Sequence, residues 1–293
     1  MKVRSLVNLL RVRQWIKNSF LVFPLIFSGH FLEVKLWDYC LWGIASFCLI
    51  SSGMYIINDI LDLKEDRLLP EKSRRPLAAG EITVAAAGII SAIVLASGIF
   101  LSWMLSWEFF VLALAYILLH ILYNLRTKHV VIVDALTLAF GFQLRIWAGS
   151  AAVHILPSLW LQMCVLVLAL FLGFTKRRYE ISLLKVEAAN HRGVLSHYTS
   201  YLLDQMILIC ATLSIVFYGL YTISTELVQR IGGYEMFYST VFVIYGIFRY
   251  LYLVHVRRRG GDPGEVLLSD PPLMINVLLW VIFVMSIILF SKM

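Results

Sequence analysis

Nine apolar stretches, each close to the ~20 residues a helix needs to cross the hydrocarbon core, alternate with short polar segments. They cover residues 18–33, 36–57, 83–104, 106–123, 131–152, 157–175, 203–222, 236–256 and 273–291. The pattern predicts an all-α polytopic membrane protein with nine transmembrane helices. The first stretch is the weakest, being short and broken at Pro24. A basic leader before an apolar run also fits a signal sequence, but no A-x-A cleavage site follows, and the stretch is taken as a span.

Composition supports this. Hydrophobic residues make up 60% of the chain and charged ones 15%, with a mean hydropathy of +0.83. A soluble globular domain runs nearer ~45–50% and ~25%, so one is excluded. The net charge of +7 fits nucleic acid, anionic lipid or a phosphorylated substrate, and the placement of the charges decides among them.

Every second connection is basic. Lys2, Arg4, Arg11, Arg13 and Lys17 precede the first span, and Lys64, Arg67, Lys72, Arg74 and Arg75 fill loop 58–82. Arg126 and Lys128, then Lys176, Arg177, Arg178, Lys185 and Arg192, then Arg257, Arg258 and Arg259 follow. Short loops rich in Lys and Arg stay in the cytoplasm. The N-terminus is therefore expected inside and the C-terminus outside, in a multi-pass protein of the inner (plasma) membrane. Lys35, Arg230 and Lys292 fall on the other side, and Arg145 and Arg249 lie within spans. A face basic for topology is no nucleic-acid signature.

Cys40, Cys48, Cys164 and Cys210 sit in apolar stretches without a CxxC pair and read as packing residues. The seven histidines form no metal-binding spacing, and no GxSxG occurs, so hydrolase chemistry has little support.

What topology does not require is acid among the bases. The second span runs into Asn58-Asp59-Ile60-Leu61-Asp62-Leu63-Lys64-Glu65-Asp66-Arg67, the pattern N-D-x-x-D-x-x-x-D. In a continuing helix Asp59, Asp62 and Asp66 share one face over about 10 Å of axis, with Asn58 beside Asp62. Carboxylates stacked this way repel unless a cation lies among them, and hard oxygen donors suit Mg2+. That ion takes one or two carboxylates and fills its shell with water and phosphate oxygens. Asn58, Asp59, Asp62 and Asp66 are thus the candidate metal ligands. The alternative is a solvated acidic helix end paired locally with Lys64 and Arg67. The basic run Lys72-Ser-Arg74-Arg75 follows at once, where guanidinium forks and an ammonium would neutralise a metal-bound diphosphate.

From Asn58 to Gly80, including Arg75-Pro-Leu-Ala-Ala-Gly80, the chain resembles the first aspartate-rich motif of the UbiA-type intramembrane prenyltransferase superfamily. That resemblance implies one domain over residues 1–293, helices around a central cavity, and a Mg2+-diphosphate site open to the cytoplasm. Arg11-Val-Arg13-Gln14-Trp15-Ile-Lys17-Asn18 resembles the leader of the decaprenyl-phosphate phosphoribosyltransferase branch. Tyr123-Asn-Leu-Arg126-Thr-Lys128, Asp134, Ala139-Phe-Gly141-Phe-Gln-Leu144-Arg145, Leu170 to Glu180, and Arg249-Tyr250-Leu-Tyr252 with Gly260-Gly-Asp-Pro263 resemble further parts of it. Where aromatic-prenylating members carry a second D-x-x-x-D, this chain reads Lys176-Arg177-Arg178-Tyr-Glu180. A basic replacement suits a donor with an additional phosphate, although the same loop must be basic for topology.

The resemblance implies transfer of 5-phosphoribose from phosphoribosyl pyrophosphate to a polyprenyl phosphate in the bilayer, with Mg2+ as cofactor and no nucleic acid as partner. Homo-oligomerisation is compatible with it. The implied catalytic residues are Asp59, Asp62, Asp66 and Lys17. The implied substrate-binding residues are Arg13, Asn18, Arg74, Arg75, Tyr123, Arg126, Lys128, Asp134, Arg145, Lys176, Arg177, Arg178 and Arg249. Two readings compete: prenyl transfer from a polyprenyl diphosphate to an aromatic or other acceptor, and a non-enzymatic lipid or ion transporter. Asp134 and Arg145, eleven residues apart, share one helical stripe that either lines the cavity or pairs with a neighbouring helix. Arg249 either contacts substrate or snorkels. Gly260-Gly-Asp-Pro263 either touches phosphate or forms a turn.

Overall fold

The structure, a computed structural model, describes residues 3–68, 72–184, 197–257 and 260–291. Lys2, Lys185, Arg192, Arg258, Arg259 and Lys292, and residues 69–71 of the acid-to-base run, lie outside the described residues. The elements are helices throughout, α1 (Val3–Leu9), α2 (Phe23–Phe27), α3 (Val34–Leu61), α4 (Leu63–Leu68), α5 (Val84–Leu105), α6 (Trp107–Leu125) and α7 (Val133–Val153). Then come α8 (Leu159–Leu184), α9 (Ser200–Thr222), α10 (Thr225–Ile231), α11 (Thr240–His255), α12 (Pro263–Ser269) and α13 (Pro271–Phe290). The 3-10 segments Val12–Val22, Thr127–His129 and Glu235–Ser239 lie between them.

Among the described residues, eight helices are long and apolar enough to cross a membrane, and the chain is a multi-pass membrane protein. They match the predicted spans from 36–57 onward, with α8 running nine residues past the predicted end at 175. Residues 18–33 differ. They fold as the end of the 3-10 segment Val12–Val22, the five-residue α2 with Pro24 in its first turn, and a turn with Gly29 at φ 79°. Polar Gln14, Lys17, Asn18 and Ser19 interrupt the apolar periodicity, and the missing N–H of Pro24 blocks a continuous ladder.

Helix starts are written into the sequence. Ser106 is extended and its Oγ caps Phe109 N at 3.1 Å, so one residue separates α5 from α6. Asp270 caps Leu273 N at 3.0 Å ahead of Pro271 and Pro272, where absent N–H groups cost nothing.

The chain divides into two compact units. The first comprises residues 1–130 and 144–157, the second 131–143 and 158–293, so α7 contributes to both. In the first unit α3 and α5 lie in close contact through small residues. Ser46 Oγ donates to Gly98 O at 2.8 Å, and Ser91 Oγ donates to Gly53 O at 3.0 Å. A Cβ on Gly98 would lie 2.7 Å from Ile50 and 3.0 Å from the Ser46 carbonyl. With no hydrophobic drive between helices in lipid, such contact and hydrogen bonding hold the pair. Phe47, Phe109 and Tyr116 fill the core, and the 3-10 segment crosses α7 so closely that a Cβ on Gly149 would meet Leu21 O at 2.0 Å. Leu9 of α1 is buried with Ile56, Leu77 and Ile82, anchoring the N-terminus beside the end of α3.

The second unit packs α8 against α9 around Phe171, Phe174, Ile207 and Leu253. Trp280 Nε1 donates to Tyr218 OH at 2.8 Å, tying α13 to α9.

Candidate active site

The acidic motif lies at the end of α3. Asn58 and Asp59 are in its last turn, Asp62 occupies the break, and Asp66 is in α4. The i→i−4 ladder survives the break, with Asp62 N bonded to Asn58 O at 2.9 Å and Asp66 N to Asp62 O at 2.8 Å. The predicted common face therefore forms. All three carboxylates are buried, at 3%, 8% and 2% exposure, which rules out a solvated helix end. Lys64 and Arg67, the local partners that reading required, are exposed.

The cations come from elsewhere in the first unit. Arg11 Nη2 bonds Asp59 Oδ1, and Arg75 Nη1 bonds that same oxygen at 3.0 Å and Asp66 Oδ2 at 2.5 Å. Lys128 Nζ bonds Asp62 Oδ1 at 2.6 Å, Asn58 Nδ2 reaches both Asp62 Oδ2 and Asn124 Oδ1 at 2.9 Å, and Lys72 lies 3.8 Å from Asp66. Arg11 has a left-handed backbone (φ 50°), and its guanidinium lies over the Tyr55 ring, one helical turn before Asp59. Burial raises the Asp66 carboxyl above the ordinary carboxylate value, against the pull of Arg75 and Lys72. Burial lowers Arg75, helped by the nearby Arg11 charge and opposed by Asp59 and Asp66.

The donor set, three carboxylates and one amide oxygen, is the chemistry of a hard cation, and it fits Mg2+ by type. No three acidic, His or Cys side chains among the described residues converge on one point. The positive charge these carboxylates require is supplied by Arg11, Arg75, Lys72 and Lys128.

The other expected residues divide as follows. Arg13, Arg74 and Arg126 are exposed and make no side-chain hydrogen bond or ion pair among the described residues. Lys17 bonds Gln14, and Tyr123 is half-buried. Asn18 is buried and accepts from Arg145 Nε at 2.9 Å, while Arg145 Nη2 donates to Tyr116 OH at 2.8 Å.

In the second unit Asp134 is fully buried, taking Arg177 Nε at 2.6 Å and Tyr198 OH at 2.8 Å. Arg177 also bonds Glu180 at 2.7 Å, and Tyr198 OH accepts from Ile132 N at 2.6 Å. Of the two readings of the Asp134–Arg145 stripe, Asp134 takes the interhelical ion pair and Arg145 a polar network in the first unit. Lys176 is half-buried. Arg178 pairs with Asp204 at 2.8 Å, and Arg249 makes a two-pronged pair with Asp270 at 3.0 and 2.8 Å rather than snorkelling free. Gly260 packs on Tyr179, where a Cβ would come within 2.9 Å, and Asp262 caps Gly264 N at 3.0 Å: the segment is a packed turn.

Sequence reasoning missed Arg11, Asn124 and Tyr198 as partners of the acids. A signal existed for the first, since a buried carboxylate demands a cation and Arg11 belongs to the same leader as Arg13. None existed for Tyr198.

The chain is similar to known proteins along most of its length. Decaprenyl-phosphate phosphoribosyltransferase of Mycolicibacterium smegmatis is 30% identical, over 99% of this chain and 94% of that protein. Its namesake in Corynebacterium glutamicum is 31% identical over 94% and 84%. A solved UbiA homologue from Archaeoglobus fulgidus bound to GPP and Mg2+ superposes with a TM-score of 0.71 at 18% identity, covering 97% of this chain and 99% of that one. The profile of the UbiA prenyltransferase family matches residues 21–266, which include the acidic motif, Arg75 and Lys128 but begin after Arg11. The chain is a membrane transferase and belongs to the UbiA prenyltransferase family.

Proposed function

We propose that the protein transfers 5-phosphoribose from phosphoribosyl pyrophosphate to a membrane polyprenyl (decaprenyl-like) phosphate, releasing pyrophosphate, at the cytoplasmic face of the plasma membrane. Likeness over the full chain to two enzymes of that name supports the donor and acceptor. The carrying observation is the buried group of Asp59, Asp62 and Asp66, held by cations drawn from distant parts of the first unit.

Asn58, Asp59, Asp62 and Asp66 are the groups to hold Mg2+, which when bound supplies positive charge for the departing diphosphate. Each segment holding an acid also carries an exposed arginine nearby that makes no side-chain hydrogen bond or ion pair among the described residues: Arg13 beside Arg11, Arg74 beside Arg75, Arg126 beside Lys128. These three hold donor phosphates. Lys17 assists at the same side. The acceptor phosphate is already anionic at neutral pH, so the protein orients it and provides no general base for attack on the anomeric carbon. Arg177, Arg178 and Arg249, each engaged by a carboxylate, keep the second unit in shape.

Prenyl transfer from an isoprenoid diphosphate remains the competing reading, favoured by the Archaeoglobus fulgidus homologue bound to GPP and Mg2+. The test is labelled phosphoribosyl pyrophosphate with polyprenyl phosphate and Mg2+ in detergent. Labelled lipid is expected. Folded protein that labels no lipid from this donor, yet moves label from geranyl diphosphate, overturns the proposal.

A further inference from the structure

Asp59 and Asp66 share one cationic nitrogen, and that sharing has a consequence for ligand binding, given that these aspartates form a metal-diphosphate platform. Asp59 Oδ1 accepts from both Arg11 Nη2 and Arg75 Nη1, and a carboxylate oxygen has about two lone-pair sites. Both are therefore taken. Arg75 Nη1 also donates to Asp66 Oδ2 at 2.5 Å. A divalent cation approaching these oxygens has to displace a guanidinium. The backbone beneath Arg75 is fixed, with Arg75 N bonded to Lys72 O at 2.9 Å, Ala79 N to Arg75 O at 2.8 Å, and Leu77 buried in the core. Only the side chain is left to move.

A metal alone would leave that half-buried guanidinium without an anion, a costly state. A diphosphate arriving with the metal removes the cost, because the guanidinium that served two carboxylates through one nitrogen can turn its planar fork to phosphate oxygens.

We propose that Arg75 is a placeholder cation and positioning residue, which holds Asp59 and Asp66 until metal and diphosphate bind together and then passes to the diphosphate. Neither ligand binds well without the other. Coupling of this kind is reciprocal and typically runs ~5–150-fold. Lys72, 3.8 Å from Asp66 and so beyond hydrogen-bond reach of that oxygen, is the comparison cation.

The test uses the full chain in detergent, with Mn2+ binding read by electron paramagnetic resonance and metal-free pyrophosphate binding read by calorimetry. Arg75→Gln is expected to bind Mn2+ alone about tenfold tighter than wild type and metal-free pyrophosphate more weakly. A misfolded protein loses both, so the opposite signs exclude that explanation. Arg11→Gln, which opens the other lone pair of the same oxygen, is a second variant expected to tighten Mn2+. Lys72→Gln stays near the wild-type value for Mn2+. If neither arginine variant tightens Mn2+ while wild type binds Mn2+ with pyrophosphate present, the placeholder role is overturned and the platform stands. If no form retains Mn2+ even with pyrophosphate, the platform itself fails, and the inference with it.

Discussion

Lys128 reaches Asp62 across 66 positions of sequence, and the pair is closed at 2.6 Å with both side chains largely removed from solvent. Asp62 stands at the break between α3 and α4, where the helix leaves the span. Lys128 follows α6 in a single 3-10 turn, and Asn58 and Asn124 link the same two elements at 2.9 Å. The carboxylate therefore fixes the end of one span to the end of another.

Lys128→Met leaves a buried carboxylate without its cation and should destabilise the protein by on the order of 3 kcal/mol. Adding Asp62→Asn removes the stranded charge. Apparent melting temperatures in detergent for both single variants and the double should show the double less destabilised than the sum of the singles. Strict additivity would mean the pair is not coupled.

Asp59→Asn and Asp62→Asn should reduce transfer to background while the protein still inserts and elutes as a single species. Excess chelator should do the same to wild type, and restored Mg2+ should reverse it. The readout is labelled lipid; full activity in chelator would remove the metal from the mechanism.

Tyr198→Phe deletes the hydroxyl that donates to Asp134 and accepts from Ile132 N, with an expected loss of about 1–2 kcal/mol. Burial pushes the Tyr198 phenol up to about 12 from an ordinary value of 10.0. A pKa raised by folding contributes stability that is complete below the unfolded value and is lost as pH rises through the folded one. Wild type should therefore converge on Tyr198→Phe between pH 10 and 12. A gap in melting temperature that stays constant over that range would contradict this assignment.

Gly149→Ala places a Cβ 2.0 Å from the Leu21 carbonyl, backbone against backbone, with no flexible side chain to yield. The 3-10 segment must shift, costing about 1–3 kcal/mol. Because Asn18 of that segment is bonded to Arg145, proteolysis near residue 18 should accelerate before global unfolding does.

Periodicity alone revealed α3 and the seven later spans, because a bilayer demands a local run of apolar residues and such a run is visible position by position. Residues 18–33, already the weakest stretch for its break at Pro24, fold instead as the end of a 3-10 segment and a five-residue helix. The acidic face was equally legible, since Asp59, Asp62 and Asp66 follow helical spacing. What holds them was not. Arg11, Arg75 and Lys128 lie 48, 16 and 66 positions from their partners, and no local pattern encodes such a contact. Arg177 and Arg178 illustrate the converse: a basic cluster that reads as a phosphate grip is engaged by Asp134, Glu180 and Asp204.

The paired serines of α3 and α5 give those aspartates a depth gauge. Ser46 and Gly53 are seven residues apart on α3, two helical turns, and each is bonded to α5. A slide of one turn, or a rotation that turned either serine away, would break both bonds at once and drive Cβ or side-chain atoms into Gly98 or Leu95. Asp59 lies six residues beyond Gly53, about 9 Å along the same rigid rod. Its height relative to α5 is thereby preset, and whatever ligand the carboxylates take meets them at one fixed level.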